Sequence, residues 1–335
     1  MTIAFAEILV ARQRLAGRIL RTPQREARAL SARLGVPVQL KCEHHQTTGS
    51  FKLRGATNAV LALDPARREA GVVAASTGNH GRALAHAAAA AGTRAVICMS
   101  RLVPANKVQA IEALGAEIRI VGNSQDDAQV EVDRLAAEAG MTPVPPFDHA
   151  DVIAGQGTLG LEMLEDAPFA TTVLVPLSGG GLLSGVALAL RTFNPAIRII
   201  GVTMENGAAM QASLAAGKPV MVEEVPTLAD SLGGGVGLEN RHTFTMVRDL
   251  VDDVVLVGEA EIAQAIANTD LTEMPRLCAT CWLKAVARIA RPKRENLKNQ
   301  AKPTMISSEI AIDMMYGVCT FRPSTFTAFV PKTSG

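Results

Sequence analysis

The sequence predicts an α/β protein with two open sheets, and three observations support this fold class. From about residue 72, short apolar runs alternate with segments of helical periodicity, and a second such set begins at residue 172. The segment Pro143-Val144-Pro145-Pro146 between the two sets stops helix formation. A chain of 335 residues is also long enough for two cores. Because continuous apolar strands separated by helices are typical of parallel sheets covered on both faces, we predict two α/β domains.

The first set contains three strand–helix pairs in chain order. Apolar runs predict strands at residues 72–75, 95–99 and 117–121, and helical periodicity predicts helices over 81–91, 104–114 and 125–139. The second set begins with a strand at 172–175, passes through a glycine-rich turn into a helix at 182–190, and returns as a strand at 197–202.

Composition argues against several classes of partner. The formal net charge is +1 and aromatic residues make up 3% of the chain, which gives little attraction for phosphate backbones and few rings for stacking bases. No stretch reaches the roughly 18 uninterrupted apolar residues of a membrane span, and the first residues lack the pattern of a secretory signal. We therefore expect a cytoplasmic protein that binds neither nucleic acid nor membrane, with Cys42 and Cys98 reduced in the core.

A glycine-rich turn joins the first strand and helix of the second set, in Pro176-Leu177-Ser178-Gly179-Gly180-Gly181-Leu182. Adjacent glycines let backbone N–H groups converge, and the start of the following helix attracts anions. No Gly-Lys-Ser/Thr follows, so the turn does not match a nucleoside-triphosphate loop. The sequence favours a single phosphate group here, and a plain tight turn that needs positive φ is the alternative.

Two further glycine clusters have weaker interpretations. Gly155-Gln156-Gly157-Thr158-Leu159-Gly160 formally matches the dinucleotide fingerprint, but no convincing strand precedes it and no acidic strand end follows about 20 residues later. An oxidoreductase that binds NAD through this segment is therefore the weaker alternative. Gly233-Gly234-Gly235-Val236-Gly237 predicts a flexible loop near a site.

A lysine and a polar turn complete the candidate functional residues. Lys52 follows a glycine turn and Phe51, although a lysine taken alone is usually a solvated surface residue. Ser76-Thr77-Gly78-Asn79-His80 lies where a strand ends and a helix begins, and free N–H groups there suit a carboxylate. An ordinary N-cap at Ser76 or Asn79 is the alternative. Together, a nucleophilic lysine, a carboxylate site and a phosphate site are the parts of a pyridoxal-phosphate enzyme.

Three motifs resemble, in order and spacing, those of the threonine dehydratase and serine racemase family, the fold-type II pyridoxal-phosphate enzymes. They are Lys41-Cys42-Glu43-His44-His45-Gln46-Thr47-Thr48-Gly49-Ser50-Phe51-Lys52-Leu53-Arg54-Gly55-Ala56, Ser76-Thr77-Gly78-Asn79-His80-Gly81 and Ser178-Gly179-Gly180-Gly181-Leu182. The resemblance runs from about residue 21 to about residue 268. It implies the architecture of the tryptophan synthase β-subunit, with a large cofactor-binding domain of residues 1–66 and 150–335 and a small α/β domain of residues 67–149. It also implies a homodimer.

The resemblance gives each motif residue an expected role. Lys52 would hold pyridoxal 5′-phosphate as a Schiff base and, once displaced by the substrate, move the α-proton. Phe51 would lie against the cofactor ring and Asn79 would bind its 3-hydroxyl. The phosphate would be held by the turn residues Ser178, Gly179, Gly180, Gly181 and Leu182. The substrate carboxylate would lie against Ser76, Thr77, Gly78 and His80.

The implied reaction is β-elimination from a small hydroxy-amino acid such as L-threonine or L-serine, which gives a 2-oxo acid and ammonia. Residues 176–185 and 228–235 look closer to dehydratases of hydroxyectoine catabolism, so a hydroxyectoine-derived amino acid is another candidate substrate. Thr77 occupies the position of a second acid–base serine in serine racemase and keeps its hydroxyl, so racemisation stays an alternative. Glu205 matches a divalent-cation ligand of some relatives, but Gln211 stands where a second acid is expected, and we predict no metal.

The chain after about Asn268 departs from the family pattern. Relatives carry a Glu-Gly-x-Gly-Ala-like helix start and a strand ending in Ser-Gly-Gly-Asn, and neither occurs there. Residues 269–335 hold 10 of the 33 basic residues but 5 of the 32 acidic residues. A shifted reading frame or a replaced terminus would explain this break, so a catalytically impaired cofactor-binding homologue is a further alternative. Cys278 and Cys281 are too few ligands for a zinc site.

Overall fold

The computed structural model describes residues 3–76 and 78–267, together with the backbone of residues 319–321. The helices are α1 Phe5–Leu15, α2 Arg28–Leu34, α3 Lys52–Ala62, α4 Pro65–Ala70, α5 Asn79–Ala90, α6 Ala105–Glu112, α7 Gln125–Ala139, α8 Ala150–Asp166, α9 Gly181–Phe193, α10 Ala209–Ala216, α11 Thr243–Leu250 and α12 Glu259–Ala267. The strands are β1 Gln24–Glu26, β2 Val38–Lys41, β3 Val72–Ala75, β4 Ala95–Met99, β5 Glu117–Ile120, β6 Thr142–Pro143, β7 Thr172–Pro176, β8 Arg198–Met204, β9 Asp253–Val257 and β10 Cys319–Phe321.

The larger sheet has six strands in the order β1-β2-β10-β7-β8-β9. Strands β7, β8 and β9 run parallel, whereas β10 pairs antiparallel with both β2 and β7, and β1 pairs antiparallel with β2. The strands predicted at 172–175 and 197–202 run parallel, as expected, and the antiparallel strands β1, β2 and β10, which were not predicted, make this sheet mixed. The sequence did not reveal β1 and β2 because Gln24–Glu26 contains no apolar residue and Val38–Lys41 is not an uninterrupted apolar run.

The smaller sheet has four parallel strands in the order β5-β4-β3-β6. Val72 and Ala74 of β3 pack in a core with α3 and α5, while Val73 and Ala75 face the opposite core with α7. Because successive strand residues point to opposite faces, this alternation buries every side chain of β3. The predictions of strands at 72–75 and 95–99 and of a helix over 125–139 are confirmed.

Helix α8 packs closely against α3 on one side and α9 on the other. A methyl group at Gly155 would lie 2.7 Å from the carbonyl oxygen of Arg54, and one at Gly185 would lie 2.3 Å from the carbonyl oxygen of Ile153. The glycine pattern of residues 155–160 therefore lies inside a helix, where it allows close helix packing. This confirms the interpretation that the dinucleotide match is accidental, since that fingerprint belongs in a strand-to-helix turn.

The division into a large domain of residues 1–66 and 150–335 and a small domain of residues 67–149 stays a proposal. Helix α3, which this division assigns to the large domain, buries Leu53 and Val60 in the core of the four-stranded sheet. Cys42 and Cys98 are buried in the core, as predicted. Across residues 3–76 and 78–267, no helix is long and apolar enough to cross a membrane.

Candidate active site

Lys52 is the first residue of α3, and its amine reaches back toward the chain that follows β6. The Nζ atom donates a hydrogen bond to the carbonyl oxygen of Pro146 at 3.0 Å and lies 5.5 Å from the centroid of the Phe51 ring. Removal from water lowers the pKa of the Lys52 amine to about 8, because burial disfavours the charged form. A substantial fraction of this amine is therefore neutral and nucleophilic near pH 8.

The turn at residues 76–80 joins β3 to α5 at the carboxyl end of a parallel strand. The Ser76 hydroxyl oxygen accepts hydrogen bonds from the amides of Gly81 at 2.9 Å and Gly78 at 3.4 Å. Its own hydroxyl hydrogen is left for another acceptor, and the first amides of α5 have no intrahelical acceptors. The turn thus offers a carboxylate several donors. Thr77, predicted to be catalytic, lies outside the described residues.

His80 lies in the same turn but is buried behind it. Its Nε2 is 2.7 Å from the carbonyl oxygen of Val144, so Nε2 carries the hydrogen. Burial, followed by the nearby positive charge of Lys52, lowers the pKa of His80 to about 3. The ring is therefore neutral, and Nδ1 has no hydrogen-bond partner among the described residues. A neutral ring contributes no positive charge to carboxylate binding.

The turn at residues 178–182 joins β7 to α9 and has the geometry of a phosphate site. Gly180 has a φ of +89°, which only glycine adopts without strain. Methyl groups at Gly179 and Gly181 would lie 2.4 Å from the Phe147 ring and 2.8 Å from the Phe147 Cα. The Ser184 amide binds the Gly180 carbonyl, so the three preceding amides have no intrahelical acceptor. These amides suit a single phosphate group.

Residues 144–149, which connect β6 to α8, touch all of these features. Val144 accepts from His80, Pro146 accepts from Lys52, and Phe147 packs on the glycine turn. The Asp148 carboxylate accepts hydrogen bonds from the Arg241, His242 and Thr243 amides at 2.6, 2.8 and 2.9 Å and so caps α11. Sequence reasoning recognised this segment as a helix-stopping boundary and missed its place in the site.

The remaining predicted residues occupy the surroundings of these turns. Asn79 and Ser178 are half-buried at the two strand-to-helix turns, and Leu182 is buried at the start of α9. Glu205 is exposed after β8. Within the part of the chain that the structure describes, no group of three or more His, Cys, Asp or Glu side chains could hold a metal ion.

The donor set matches pyridoxal phosphate in three respects. Lys52 provides a buried amine, the glycine turn provides amides without intrahelical acceptors, and the turn at 76–80 provides carboxylate donors. The 144–149 segment contacts the first two of these sites and holds His80, next to the third. An amine, a phosphate cradle and a carboxylate cradle are the groups that this cofactor and an amino-acid substrate require.

Comparison with known proteins gives an independent result. Residues 15–304 match the family described as pyridoxal-phosphate dependent enzyme. A "Putative threonine dehydratase" of Sinorhizobium fredii is 61% identical over 258 residues, which is 77% of this chain and 78% of that protein. The L-threonine ammonia-lyase of Thermotoga maritima is 42% identical, over 79% of this chain and 65% of that protein. The structure of maize serine racemase superposes with a TM-score of 0.76 at 38% identity, covering 80% of each chain.

Proposed function

This chain belongs to the pyridoxal-phosphate dependent enzyme family, and on that premise we propose that it is a lyase that deaminates a small hydroxy-amino acid. With L-threonine, the β-hydroxyl and the α-proton leave as water, one water molecule is then taken up, and the amino group leaves as ammonia. The net products are 2-oxobutanoate and ammonia. L-Serine would give pyruvate in the same way.

One observation carries this proposal: a single segment contacts both the reactive amine and the phosphate cradle. Pro146 accepts from Lys52, and Phe147, the next residue, packs on Gly179. An amine and a phosphate site held by adjacent residues suit a cofactor that has an aldehyde and a phosphate on one ring. The relatives named above as threonine dehydratase and L-threonine ammonia-lyase support the same reaction class.

The chain's own residues have distinct tasks. Bound pyridoxal phosphate supplies the electron withdrawal that acidifies the α-proton of the substrate. Lys52 would hold the cofactor covalently and, once free, take the α-proton, which its lowered pKa of about 8 favours at mildly alkaline pH. Phe51 would cover the cofactor ring and Asn79 would bind its hydroxyl group. The phosphate would be held by the turn residues Ser178, Gly179, Gly180, Gly181 and Leu182.

The substrate carboxylate would be held at the other strand-to-helix turn. Ser76 has a hydroxyl hydrogen to donate, and the backbone at Thr77 and Gly78 would add amide donors, the Gly78 amide by exchanging its 3.4 Å contact with the Ser76 hydroxyl for the carboxylate. His80 would bind the carboxylate through its backbone amide, one of the first amides of α5, because its neutral ring binds Val144 and has only an acceptor left at Nδ1. The carboxylate would thus be bound mainly by backbone and hydroxyl donors, without a histidine cation.

Racemisation is the second candidate function. The structural likeness to maize serine racemase at 38% identity favours it, and Thr77 would supply a hydroxyl as the second acid–base group. The two functions differ in their products, since a racemase keeps the amino group and a lyase releases ammonia. A hydroxyectoine-derived amino acid is a further candidate substrate, because the sequences of residues 176–185 and 228–235 resemble those of dehydratases of hydroxyectoine catabolism.

A cofactor-binding homologue without turnover is the third alternative, because the sequence after about Asn268 lacks the two family motifs. Most of that region, including Cys278 and Cys281, lies outside the described residues. The backbone of Cys319–Phe321 forms β10, between β2 and β7 of the larger sheet. A reading of the gene in the other frames that restores both motifs would support the frame-shift hypothesis.

The proposal is tested with purified protein, pyridoxal phosphate and borohydride. Reduction should fix the cofactor on Lys52, as located by peptide mass spectrometry, and L-threonine or L-serine should yield 2-oxo acid and ammonia. Lys52→Ala should abolish both results, whereas Lys218→Ala, at an exposed lysine, should change neither. Covalent cofactor without any 2-oxo acid would refute the lyase assignment, and chiral chromatography of the same reactions would then reveal a racemase. Cytoplasmic location and homodimer formation stay predictions.

A further inference from the structure

Arg54 lies two residues after Lys52, in the first turn of α3, and its side chain is fully buried. Its guanidinium bridges two carboxylates. Nε and Nη2 each lie 2.8 Å from an oxygen of Glu43, while Nη1 and Nη2 lie 2.6 and 3.0 Å from the two oxygens of Glu162. Five N–H groups in one plane allow arginine to form two such forked pairs at once.

A second buried cation completes this group. Lys41 Nζ lies 2.7 Å from Glu162 and donates at 2.7 Å to the carbonyl oxygen of Thr22. We call Lys41, Glu43, Arg54 and Glu162 the charge cluster; it contains two positive and two negative side chains. Although burial opposes ionisation of Glu43, the charge and hydrogen bonds of Arg54 hold the pKa of Glu43 below its ordinary value. Glu43 is therefore charged at neutral pH.

The charge cluster joins four segments of the fold. Lys41 ends β2, Glu43 begins the 3₁₀ turn Glu43–His45, Arg54 belongs to α3, and Glu162 belongs to α8. Buried ion clusters often stabilise folded proteins no more than well-packed apolar residues of the same shape, because desolvation offsets the attraction between the charges. Their forked hydrogen bonds do, however, restrict orientation strictly. The first turn of α3 is thereby held against both β2 and α8.

Helix geometry relates this restraint to the amine. Residues two apart on a helix point about 200° apart, so Lys52 and Arg54 project from opposite sides of α3. If α3 rotates about its axis by about 10°, a group that lies about 6 Å from that axis is displaced by about 1 Å. Displacement of a catalytic group by about 1 Å costs on the order of 100-fold in rate. Loosening of Arg54 would therefore displace the Lys52 amine from Pro146.

We propose that Arg54 is a positioning residue for Lys52, acting through its paired contacts with Glu43 and Glu162. The inference rests on the proposed function, since it assigns a task only if Lys52 is the reactive amine. Three observations support it: Arg54 forms two forked pairs, its side chain is fully buried, and it lies opposite Lys52 on one helical turn.

The test is Arg54→Lys, which keeps the charge but cannot form two forked pairs. We expect kcat for 2-oxo acid formation to fall about 10-fold to 100-fold with KM changed less than about two-fold. A second readout does not depend on turnover: the pH midpoint of borohydride-trapped cofactor on Lys52 should rise by about one unit. The reason is that a loosened α3 admits water to the amine, and the burial that lowers its pKa is reduced.

The matched control is Arg191→Lys on α9. Arg191 also has fixed partners, with Nη2 at 2.5 Å from Asp252 and Nη1 at 2.6 Å from the carbonyl oxygen of Pro195. This variant should lose thermal stability and keep the wild-type trapping midpoint and kcat. If Arg54→Lys does not fold, Glu162→Asp gives the same test, because it retracts one carboxylate from Arg54 and keeps its charge.

Two outcomes separate this inference from the proposed function. If a folded Arg54→Lys or Glu162→Asp variant loses stability but keeps the wild-type midpoint and kcat, the charge cluster serves stability alone and the inference is overturned. If wild-type protein traps no cofactor on Lys52, the proposed function itself fails. A raised trapping midpoint and a lowered kcat in the charge-cluster variants, with neither changed in Arg191→Lys, support the positioning role.

Discussion

Replacement of Gly179 by alanine places one methyl group against the Phe147 ring. The Cβ would lie 2.4, 2.4 and 2.6 Å from three ring carbons, where carbon atoms normally approach to about 3.5–4.0 Å. Gly179 does not have a positive φ, so an alanine backbone fits and the effect is purely steric. The ring must move by about 1 Å or the turn must shift away from it.

The magnitude follows from the cost of overpacking. Extra carbon atoms in a closely packed site cost about 1–3 kcal/mol. Because we propose that Gly179 lies in the phosphate cradle, we expect the strain to be relieved by displacement of that turn at the expense of cofactor binding. A cost of about 1–3 kcal/mol corresponds to a dissociation constant for pyridoxal phosphate raised about 5-fold to 150-fold.

The assay is a titration of cofactor-free protein with pyridoxal phosphate, followed by visible absorbance. Gly233→Ala is the matched control, because Gly233 has a φ of −62° and its Cβ would meet its nearest atom, the carbonyl oxygen of Asp230, at an ordinary 3.6 Å. The double variant Gly179→Ala/Phe147→Leu should recover most of the lost affinity, since leucine has no ring at the point of contact. Coupling between the two sites would then be measured directly.

Wild-type affinity in Gly179→Ala would refute this reasoning about the cradle. If Phe147→Leu does not restore cofactor binding in the double variant, the loss of affinity in Gly179→Ala does not come from overlap between the new methyl group and the Phe147 ring. Either result would also weaken the proposal that Gly179 lies at the cofactor phosphate.

Three further predictions concern stability and pH. Gly185→Ala should lower the free energy of unfolding in urea by about 3 kcal/mol, because its Cβ would lie 2.3 Å from the backbone oxygen of Ile153, which cannot swing away. The rate of 2-oxo acid formation should rise with pH about a midpoint near 8, as the Lys52 amine loses its proton. Folded His80 has a pKa of about 3 against an ordinary 6.5, so the unfolded state takes up a proton first and stability should fall as pH decreases from 6.5 toward 3. His80→Gln, which keeps a donor for Val144, should reduce that slope in urea unfolding measured across this pH range.

Each of these predictions has a contradicting result. Gly185→Ala with wild-type stability would show that α8 and α9 can separate without cost. A pH–rate profile that is flat between pH 7 and 9 would exclude Lys52 as the titrating base. If the free energy of unfolding of His80→Gln falls as steeply with decreasing pH as that of the wild type, groups other than His80 cause the loss of stability in acid.

Strands β3 and β4 of the smaller sheet, and helix α7 beside it, were predictable from local patterns. β3 and β4 are buried on both faces and therefore appear as uninterrupted apolar runs, and α7 begins with the capping serine Ser124 and ends at Gly140. Helix α8 was not predictable in this way. Its glycines disfavour a helix locally, and it forms because those glycines allow contact with α3 and α9.

The candidate site was predicted unevenly for a similar reason. Its glycine turn and its polar turn each have a local sequence pattern that reflects their backbone geometry. The acceptor for Lys52 has none, because any residue provides a carbonyl and Pro146 lies 94 positions away in the chain. Arg54 also looked ordinary in the sequence, since its burial depends on Glu43 and Glu162.

The carbonyls that face Lys52 and His80 lie on the connection between β6 and α8, at the boundary of the two proposed domains, and this position matters for protein engineering. Connections between domains are the usual places for new chain termini in circular permutation, because few contacts normally cross them. Opening the chain at residues 144–149 would instead free Pro146 and Phe147 from both neighbouring elements. The exposed turn at Gly217 and Lys218, after α10, is the better place for new termini, because a methyl group at Gly217 would meet nothing within 4 Å.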